Sequence, residues 1–484
     1  MNHSSKSKLI DNTYFKIASA LLMAVAMMAT FAFSVGADAN RSGSSSKPKS
    51  AYDARTATRT STTAASATST TVTSTSRTGA TDQASATTST TTSTTKPVTA
   101  EINENAVDDT VQTATEFNED GTPKITAGSA VVMDCDTGMV LYGYNENNQM
   151  PMASTTKIMT CILALESGDI GRTITITDEC MKLLDGTRIG LQPGYKITMY
   201  DLCVGMMMYS GNDAANSAAV AVSGSISAFV SLMNEKATQL GMLNTHFDTP
   251  SGLDQFSDGA HYSTAYDMAL LGRYAMQNPD FRDIVGFKAR NIYYDEFPKG
   301  RMLVTHNYLM QGQQFGYEGC DGIKTGVTNL AGQCLVSHVT SKEGLHLVCV
   351  TLNNYNRWND HKSLYNYAKS LYEQVPVDPD ISAFDAAVVG GSRKRVKVEC
   401  TPAEAYNVLT SQKEDVVREV VYDDFIYAPI ESGEVVGHLR YSVNGIVIAD
   451  YPITATEDIR SVTNGWFTDY IKAIRERTES QENT

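Results

Sequence analysis

The sequence has few of the residue groups that bind metals or nucleic acids. Its eight histidines are scattered singly, and it contains neither a C-x-x-C pair nor an H-E-x-x-H motif. We therefore predict no structural or catalytic metal and no cofactor. Lys and Arg together number 39 against 54 Asp and Glu, which leaves a net charge of −15. This shortage of positive charge argues against nucleic acid as a partner, and it does not provide the basic surface that binds anionic membranes.

Large apolar residues are almost absent between residues 41 and 99, where Ser and Thr occupy more than half of the positions. Such a segment cannot bury enough surface to fold, and residues 101–120 continue it with an acidic composition. We predict a disordered linker over residues 40–123, able to hold a folded domain away from a membrane.

The N-terminus is predicted to be a targeting segment. Lys6, Lys8 and Lys16 precede an apolar stretch over residues 17–35, and Ala37-Asp38-Ala39 then offers a small-x-small cleavage site. This order is typical of a secretory signal, but the apolar stretch is also long enough to span a membrane. Residues 1–39 are therefore either a cleaved signal peptide or an uncleaved anchor, and in both cases we expect the protein to be exported.

The cysteines do not form an evident disulfide framework, although an even number of eight in an exported chain invites one. Cys161, Cys203, Cys334 and Cys349 each lie in apolar runs, as buried free thiols do. A chain of this size can also fold without disulfides. We predict that most of the eight cysteines are reduced.

The motif Ser154-Thr155-Thr156-Lys157 places a serine and a lysine three residues apart at the start of an apolar helix. At this spacing the hydroxyl and the amine lie on the same side of the helix. A serine becomes a nucleophile when a base takes its proton, and burial favours the neutral form of lysine that can do so. The alternative is that Ser154 only caps the helix.

A second polar motif, Ser210-Gly211-Asn212, interrupts an apolar run and precedes a stretch of small residues. The pattern predicts a helix, a loop and another helix, with Ser210 and Asn212 directed into a cleft. There the hydroxyl could relay a proton and the amide could hold a substrate carbonyl. The alternative is an ordinary turn, because these residue types dominate turns.

The third motif, Lys324-Thr325-Gly326, lies in the first of three β-rich runs joined by tight turns. Lys324 and Thr325 can bind a carboxylate through charge and hydroxyl, and Gly326 allows a substrate backbone to approach the strand. Val327 and Thr328 continue the same candidate binding edge. The alternative is a hairpin strand with a solvated lysine.

The order and spacing of the three motifs resemble those of the D-alanyl-D-alanine carboxypeptidases, the low-molecular-mass penicillin-binding proteins, over residues 125–455. Further similar segments are Thr245-His246-Phe247, Gly252-Leu253-Asp254, the run from His261 to Met268, and residues 428–437. The resemblance implies a serine peptidase that removes the terminal D-Ala of peptidoglycan stem peptides ending in D-Ala-D-Ala. It also implies covalent inhibition by β-lactam antibiotics, and a location at the extracytoplasmic face of the bacterial membrane or in the cell wall.

By the same resemblance, Ser154 is the acylated nucleophile and Lys157 its base. Ser210 and Asn212 complete the proton network and hold the substrate, and Lys324 and Thr325 bind the terminal carboxylate. The backbone N–H groups of Ser154 and Val327 form the oxyanion hole. The family often has His after the Gly of the third motif, and this chain has Val327.

The resemblance and the element pattern together predict an α+β chain. Residues 124–375 form a penicillin-binding, serine β-lactamase-like catalytic domain in which helices pack on an antiparallel sheet. Residues 376–456 form a small all-β domain, with Pro376 and Pro379 at the hinge between the two. In the tail, residues 457–484, apolar residues at helical spacing suggest either a short helix with peripheral membrane contact or a helix docked on the β domain.

Other functions of the same fold remain open. A serine β-lactamase needs a base for deacylation, usually a Glu on a loop between the second and third motifs. Glu235 and Glu296 lie in that interval, but neither is in a recognisable version of that loop. A D,D-endopeptidase would use the same groups on cross-linked peptides. A non-catalytic wall-binding protein is less compatible, because a binding module has no need of Lys157.

Overall fold

The structure is a computed structural model that describes residues 116–462, except Asp258, together with Gly465 and Tyr470. The predicted targeting segment, most of the predicted linker and most of the tail lie outside the described residues. Residues 116–123, assigned to the linker by composition, form a turn in which the Asn118 N–H donates to the Thr122 carbonyl at 2.8 Å. The predicted amphipathic tail helix is described only at Gly465 and Tyr470.

Seven α-helices lie between residues 157 and 370 of the described chain. They are α1 (Lys157–Glu166), α2 (Met199–Met208), α3 (Asn212–Ser223), α4 (Ile226–Gln239), α5 (Ala265–Ala275), α6 (Pro279–Gly286) and α7 (Arg357–Ser370). A 3₁₀ turn over Ala153–Thr156 leads directly into α1. Helix α1 is buried over nearly its whole surface, as its continuous apolar sequence predicts.

Strands occur on both sides of the helical region. Those before residue 353 are β1 (Ser129–Asp134), β2 (Val140–Tyr144), β3 (Thr173–Thr175), β4 (Lys196–Thr198), β5 (Ala289–Tyr294), β6 (Phe297–Val304), β7 (Cys320–Thr328), β8 (Gly332–Thr340) and β9 (His346–Leu352). The later ones are β10 (Tyr372–Pro376), β11 (Ala387–Val389), β12 (Val398–Cys400), β13 (Ala405–Leu409), β14 (Val416–Val421), β15 (Phe425–Tyr427), β16 (Val435–Val443) and β17 (Ile446–Ala455).

The catalytic domain is built on a five-stranded antiparallel sheet with the order β2-β1-β9-β8-β7. Alternate residues of a strand point to opposite faces, and the core divides accordingly. Val131, Val336 and Val348 pack with the helices α1 to α6 on one face. Val132 and Leu335 pack with α7 on the other. The sheet is therefore covered by helices on both faces, and β7 is one of its two edge strands.

A second sheet, with the order β3-β4-β5-β6, was not predicted from the sequence. Strands β3 and β4 have three residues each, which is too short for a visible alternation. The sheet packs beside α2, the helix that ends just before Ser210.

The C-terminal part confirms the predicted all-β domain. Its main sheet has the order β12-β17-β16-β14, and β11 and β15 form a separate parallel pair. Strand β10 pairs with β13, and Pro376, the first of the two predicted hinge prolines, is its last residue. Helices on an antiparallel sheet followed by this domain confirm the α+β class.

Within the described residues, no single helix combines the length and hydropathy needed to cross a membrane. Helices α3 and α4 meet that criterion only as a pair, and they are bent by 85° at their junction.

Candidate active site

The turn before α1 brings the first motif together. Lys157 Nζ donates to Ser154 Oγ at 2.9 Å and to the Ser251 carbonyl at 2.6 Å. Lys157 is completely buried, and Ala153 has φ of 49°, in the left-handed region that most side chains avoid. The turn that presents Ser154 is thus a special conformation held by its surroundings.

Ser154 is not a helix cap in the structure. The residue that precedes the 3₁₀ turn is Met152, and the residue that precedes α1 is Thr156. Neither junction has a side-chain capping hydrogen bond. The capping alternative is therefore wrong, and the hydroxyl of Ser154 faces an amine instead.

The second motif lies where α2 ends and α3 begins. Ser210 has φ of 62°, and its hydroxyl oxygen is buried without a hydrogen-bond partner among the described residues. Asn212 donates from Nδ2 to the Asp185 carbonyl at 2.6 Å, while its buried Oδ1 accepts no hydrogen bond from any described residue. Strained backbone and unsatisfied polar atoms at one place are typical of functional sites.

The third motif lies on β7, the edge strand. Lys324 and Thr325 are buried, and Lys324 Nζ donates to the Thr325 carbonyl at 2.8 Å. A Cβ at Gly326 would lie 3.0 Å from the Ser154 backbone nitrogen and 3.1 Å from the Ala153 Cβ. Any larger residue would make tight contacts here, so glycine allows β7 to pass close to the 3₁₀ turn Ala153–Thr156, called the nucleophile turn.

The predicted residues meet in two groups. Ser154, Lys157 and Gly326 are in direct proximity, with Lys324 and Thr325 on the same strand as Gly326. Ser210 and Asn212 lie at the start of α3, which packs against α1. Val327 and Thr328 are half-buried at the end of β7, where Thr328 Oγ1 donates to Asp254 Oδ2 at 2.5 Å.

Two supporting groups were not assigned a role from the sequence. Asp213 accepts hydrogen bonds from the backbone N–H groups of Ile189, Gly190 and Leu191 at 2.8–2.9 Å, and so ties that loop to the start of α3. The carbonyl of Ser251 holds Lys157 from across the fold. The segments around residues 252 and 261 resemble the family in sequence. That resemblance does not predict which side chains or carbonyls these segments contact.

Known proteins match both domains. A family model described as D-alanyl-D-alanine carboxypeptidase matches residues 115–356, and one described as penicillin-binding protein 5, C-terminal domain, matches residues 380–461. The D-alanyl-D-alanine carboxypeptidase DacF of Bacillus subtilis is 33% identical over 345 residues, which cover 69% of this chain and 86% of that protein.

The chain belongs to the D-alanyl-D-alanine carboxypeptidase family. DacC of Escherichia coli is also similar, with 29% identity over 70% of this chain and 85% of that protein. A crystal structure from Streptococcus pneumoniae, described as a peptidoglycan synthesis regulatory factor (PBP3), shares the fold. Its TM-score is 0.58 at 23% identity, covering 70% of this chain and all of that one. The chain is thus a penicillin-binding, serine-type carboxypeptidase, and a hydrolase, as predicted.

Both glutamates considered as β-lactamase bases are exposed to solvent in this carboxypeptidase. Glu235 is exposed on α4, and Glu296 is exposed in the turn between β5 and β6. No group of three or more metal-binding side chains gathers anywhere in the described part of the chain.

All eight cysteines are free thiols in the structure. Burial raises the pKa of Cys320 to about 12 and that of Cys334 to about 11, so these thiols stay protonated and unreactive at neutral pH. Burial in the core, beside Cys203 of α2, keeps the pKa of the Cys161 thiol on α1 well above its usual value.

Two buried histidines make the stability of the carboxypeptidase depend on pH. Burial lowers the pKa of His261 to about 4 and that of His361 to about 3. Since unfolded histidine has a pKa of about 6.5, the unfolded chain binds protons that the native one refuses as the pH falls below that value. Each histidine then lowers the free energy of unfolding by about 1.4 kcal/mol per pH unit, until the native value is approached.

We expect His361→Gln to remove one of these contributions. Urea unfolding between pH 7.5 and 4.5 should show a slope smaller by about one proton, about 1.4 kcal/mol per pH unit below pH 6.5. Burial raises the carboxyl pKa values of Asp201, Asp267 and Asp360, which makes the free energy of unfolding rise as the pH falls. This contribution is the same in the wild type and the variant, so it cancels in the comparison. An unchanged slope would show that His361 is protonated in the native state.

Proposed function

We propose that this carboxypeptidase removes the C-terminal D-Ala from peptidoglycan stem peptides ending in D-Ala-D-Ala, through an acyl ester on Ser154. The observation that supports it most is the 2.9 Å contact between Lys157 Nζ and Ser154 Oγ, with the lysine completely buried. A buried amine held against a serine hydroxyl is arranged to act as its base.

In the first step, neutral Lys157 takes the proton from Ser154 as Oγ attacks the carbonyl carbon of the penultimate D-Ala. The oxyanion accepts hydrogen bonds from the backbone N–H groups of Ser154 and Val327, the role that such paired donors have in acyl transfer. The amide C–N bond then breaks, and the leaving D-Ala takes a proton from the site. Water hydrolyses the ester and restores Ser154.

Ser210 and Asn212 support this chemistry. The hydroxyl of Ser210 and the amide oxygen of Asn212 are buried and unsatisfied among the described residues, so each can accept a hydrogen bond when substrate arrives. Because Asn212 is held through Nδ2 by the Asp185 carbonyl, its Oδ1 keeps a fixed direction. We propose that Ser210 relays the proton to the leaving amine and that Asn212 holds the substrate.

Lys324 and Thr325 are proposed to bind the terminal carboxylate of the substrate. They lie on the edge strand β7, whose only strand partner among the described residues is β8, and we propose that an extended peptide pairs along its other edge. The glycine at 326 removes the side chain that would separate such a peptide from Ser154.

We expect Lys324→Ala to slow both peptide turnover and β-lactam acylation about ten- to a hundredfold, because a charge-assisted contact is worth about 1.5–3 kcal/mol. The wild type should prefer a substrate with a free terminal carboxylate over its amide, and the variant should lose most of that preference. Lys342→Ala is the control, since Lys342 is exposed and pairs with Glu318 at 2.8 Å. A variant that keeps the full preference for the free carboxylate would show that Lys324 is not the anchor.

A D,D-endopeptidase would use the same residues, and substrates separate the two activities. Purified protein should release D-Ala from a pentapeptide ending in D-Ala-D-Ala faster than it cleaves a cross-linked dimer. Faster cleavage of the dimer would make the enzyme an endopeptidase. We also propose that β-lactams acylate Ser154 as covalent inhibitors.

We further propose that the protein is exported to the outer face of the bacterial membrane or into the wall, on the basis of residues 1–39. Full-length protein should fractionate outside the cytoplasm, and a chain beginning at Asn40 should stay inside. Mass spectrometry of the exported N-terminus decides between cleavage after Ala39 and an intact anchor. Export of the shortened chain would show that these residues are not the signal.

A further inference from the structure

One loop encloses the nucleophile turn. Residues 246–257 and 259–263, called the His261 loop, contact the segment from Met150 to Thr160 at successive points. Backbone N–H groups of Met150 and Ser263 each donate to the other's carbonyl, at 2.7 and 3.0 Å. Thr160 Oγ1 donates to the Pro250 carbonyl at 2.6 Å, and Lys157 donates to Ser251. The loop thus holds the turn from both ends.

His261 makes two hydrogen bonds within this enclosure. The backbone N–H of Asp248 donates to His261 Nδ1 at 2.9 Å, so this nitrogen is an acceptor. In a neutral ring the proton then lies on Nε2, which donates to Thr156 Oγ1 at 2.9 Å. Both residues are buried, and burial also keeps the pKa of His261 low, at about 4, which maintains the neutral tautomer.

The chain of hydrogen bonds continues to the turn itself. With one lone pair of its oxygen engaged by His261, the Thr156 hydroxyl donates to the Ala153 carbonyl at 2.8 Å. Ala153 is the residue with left-handed φ that immediately precedes Ser154. A fixed carbonyl at Ala153 fixes the peptide plane that contains the Ser154 backbone N–H.

We propose that His261 is a positioning residue for the nucleophile: its Nε2–H orients the Thr156 hydroxyl, which holds the Ala153 carbonyl and thereby the peptide that carries the N–H of Ser154. The proposal rests on Ser154 being the nucleophile. It assigns to His261 an effect on the acylation step in addition to its effect on stability.

Two substitutions separate the two hydrogen bonds of the ring. The amide nitrogen of glutamine reaches the place of Nε2, so His261→Gln keeps a donor to Thr156 and loses the acceptor for Asp248. The carbonyl oxygen of asparagine reaches the place of Nδ1, so His261→Asn keeps the acceptor and loses the donor. A merely structural role predicts no difference between the variants in the folded enzyme's acylation rate.

The measurement is the acylation of full-length protein by a fluorescent β-lactam, analysed as a pre-covalent dissociation constant and a first-order rate constant. We expect His261→Asn to lower the rate constant tenfold or more with little change in the dissociation constant, and His261→Gln to retain most of the rate. Misplacement of reacting groups by about 1 Å is sufficient for such a loss. If His261→Asn acylates as fast as His261→Gln or faster, the proposal is wrong.

Thr156 supplies an independent test that does not depend on either histidine variant folding. Thr156→Val removes the hydroxyl but keeps the shape, and it should slow acylation as His261→Asn does, while Thr156→Ser should restore the rate. The double variant Thr156→Val/His261→Asn should acylate little more slowly than either single variant, because both substitutions remove the hydrogen bond between Thr156 and His261. Normal acylation by Thr156→Val would also overturn the proposal.

His361→Gln is the matched control. His361 is a fully buried histidine that hydrogen-bonds Ser337 and Thr351 on the α7 side of the sheet. Its variant should lose stability and keep its acylation rate below the melting transition. Failure of the proposed function has a different signature, since wild-type protein would then form no adduct on Ser154.

Discussion

Ser154→Ala is expected to leave a folded protein that forms no covalent adduct with a β-lactam and releases no D-Ala. The hydroxyl of Ser154 contacts an amine and takes no part in helix capping, so its loss removes the reacting atom and little of the fold. Mass spectrometry of the tryptic peptide should find the adduct on Ser154 in the wild type only.

Lys157→Ala should retain pre-covalent binding of a β-lactam but acylate about 10²–10⁴-fold more slowly, because the hydroxyl has lost its base. The residues of one catalytic unit are far from additive, so the double variant should be little worse than Ser154→Ala. Lys157 is buried and also donates to the Ser251 carbonyl, so its loss should cost stability as well as activity. The melting temperature of the Lys157→Ala variant is therefore measured together with its acylation rate.

Ser225→Ala provides the control for a serine with a purely structural role. Ser225 precedes α4, and its hydroxyl accepts a hydrogen bond from the Ala228 N–H at 3.2 Å. Removing this cap should lower the free energy of unfolding by about 1 kcal/mol and leave acylation unchanged. If Ser154→Ala behaves in the same way, folded and still acylated, then Ser154 is not the nucleophile.

Local patterns in the sequence predicted those parts of the site that depend on local spacing. Ser154 and Lys157 meet because they are three residues apart at the start of a helix. Lys324 and Thr325 lie on β7, the first of the three β-rich runs that were predicted to be strands joined by tight turns. Strands β3 and β4 of the second sheet were missed because three-residue strands carry no period. Hydrophobic periodicity is easiest to recognise in long elements, such as strands β7 to β9 of the five-stranded sheet.

The contacts that hold the nucleophile turn could not be predicted, because they join residues far apart in the chain. Lys157 and Ser251 are 94 residues apart, and Thr156 and His261 are 105 apart. A local pattern reports which face of an element is apolar, but not which loop returns to cover it. The left-handed φ of Ala153 is similarly invisible, since alanine is not a residue that normally marks such a turn.

Gly252 shows how closely the His261 loop fits against the turn. Its φ is +85°, and a Cβ at this position would lie 2.0 Å from the Ala153 carbonyl oxygen and 2.8 Å from Thr156 Oγ1. The first of these atoms belongs to the backbone and cannot rotate away. A methyl group at residue 252 therefore has to displace either the loop that holds Lys157 or the turn that holds Ser154.

We expect Gly252→Ala to lower β-lactam acylation about a hundredfold or more, because a displacement of about 1 Å between reacting groups is sufficient for that loss. It should also lower the free energy of unfolding by more than the 1–2 kcal/mol that a left-handed alanine costs by itself.

Gly241→Ala is the matched control, since Gly241 has φ of +75° with no atom within 4 Å of the added carbon. It carries the same backbone strain without the overlap, so it should lose about 1–2 kcal/mol of stability and no activity. Equal effects of the two substitutions on acylation and on urea unfolding would show that the close approach of residue 252 to Ala153 does not position the nucleophile. A larger effect at residue 252 confined to acylation would place the displacement at Ser154 and Lys157, where the loop and the turn meet.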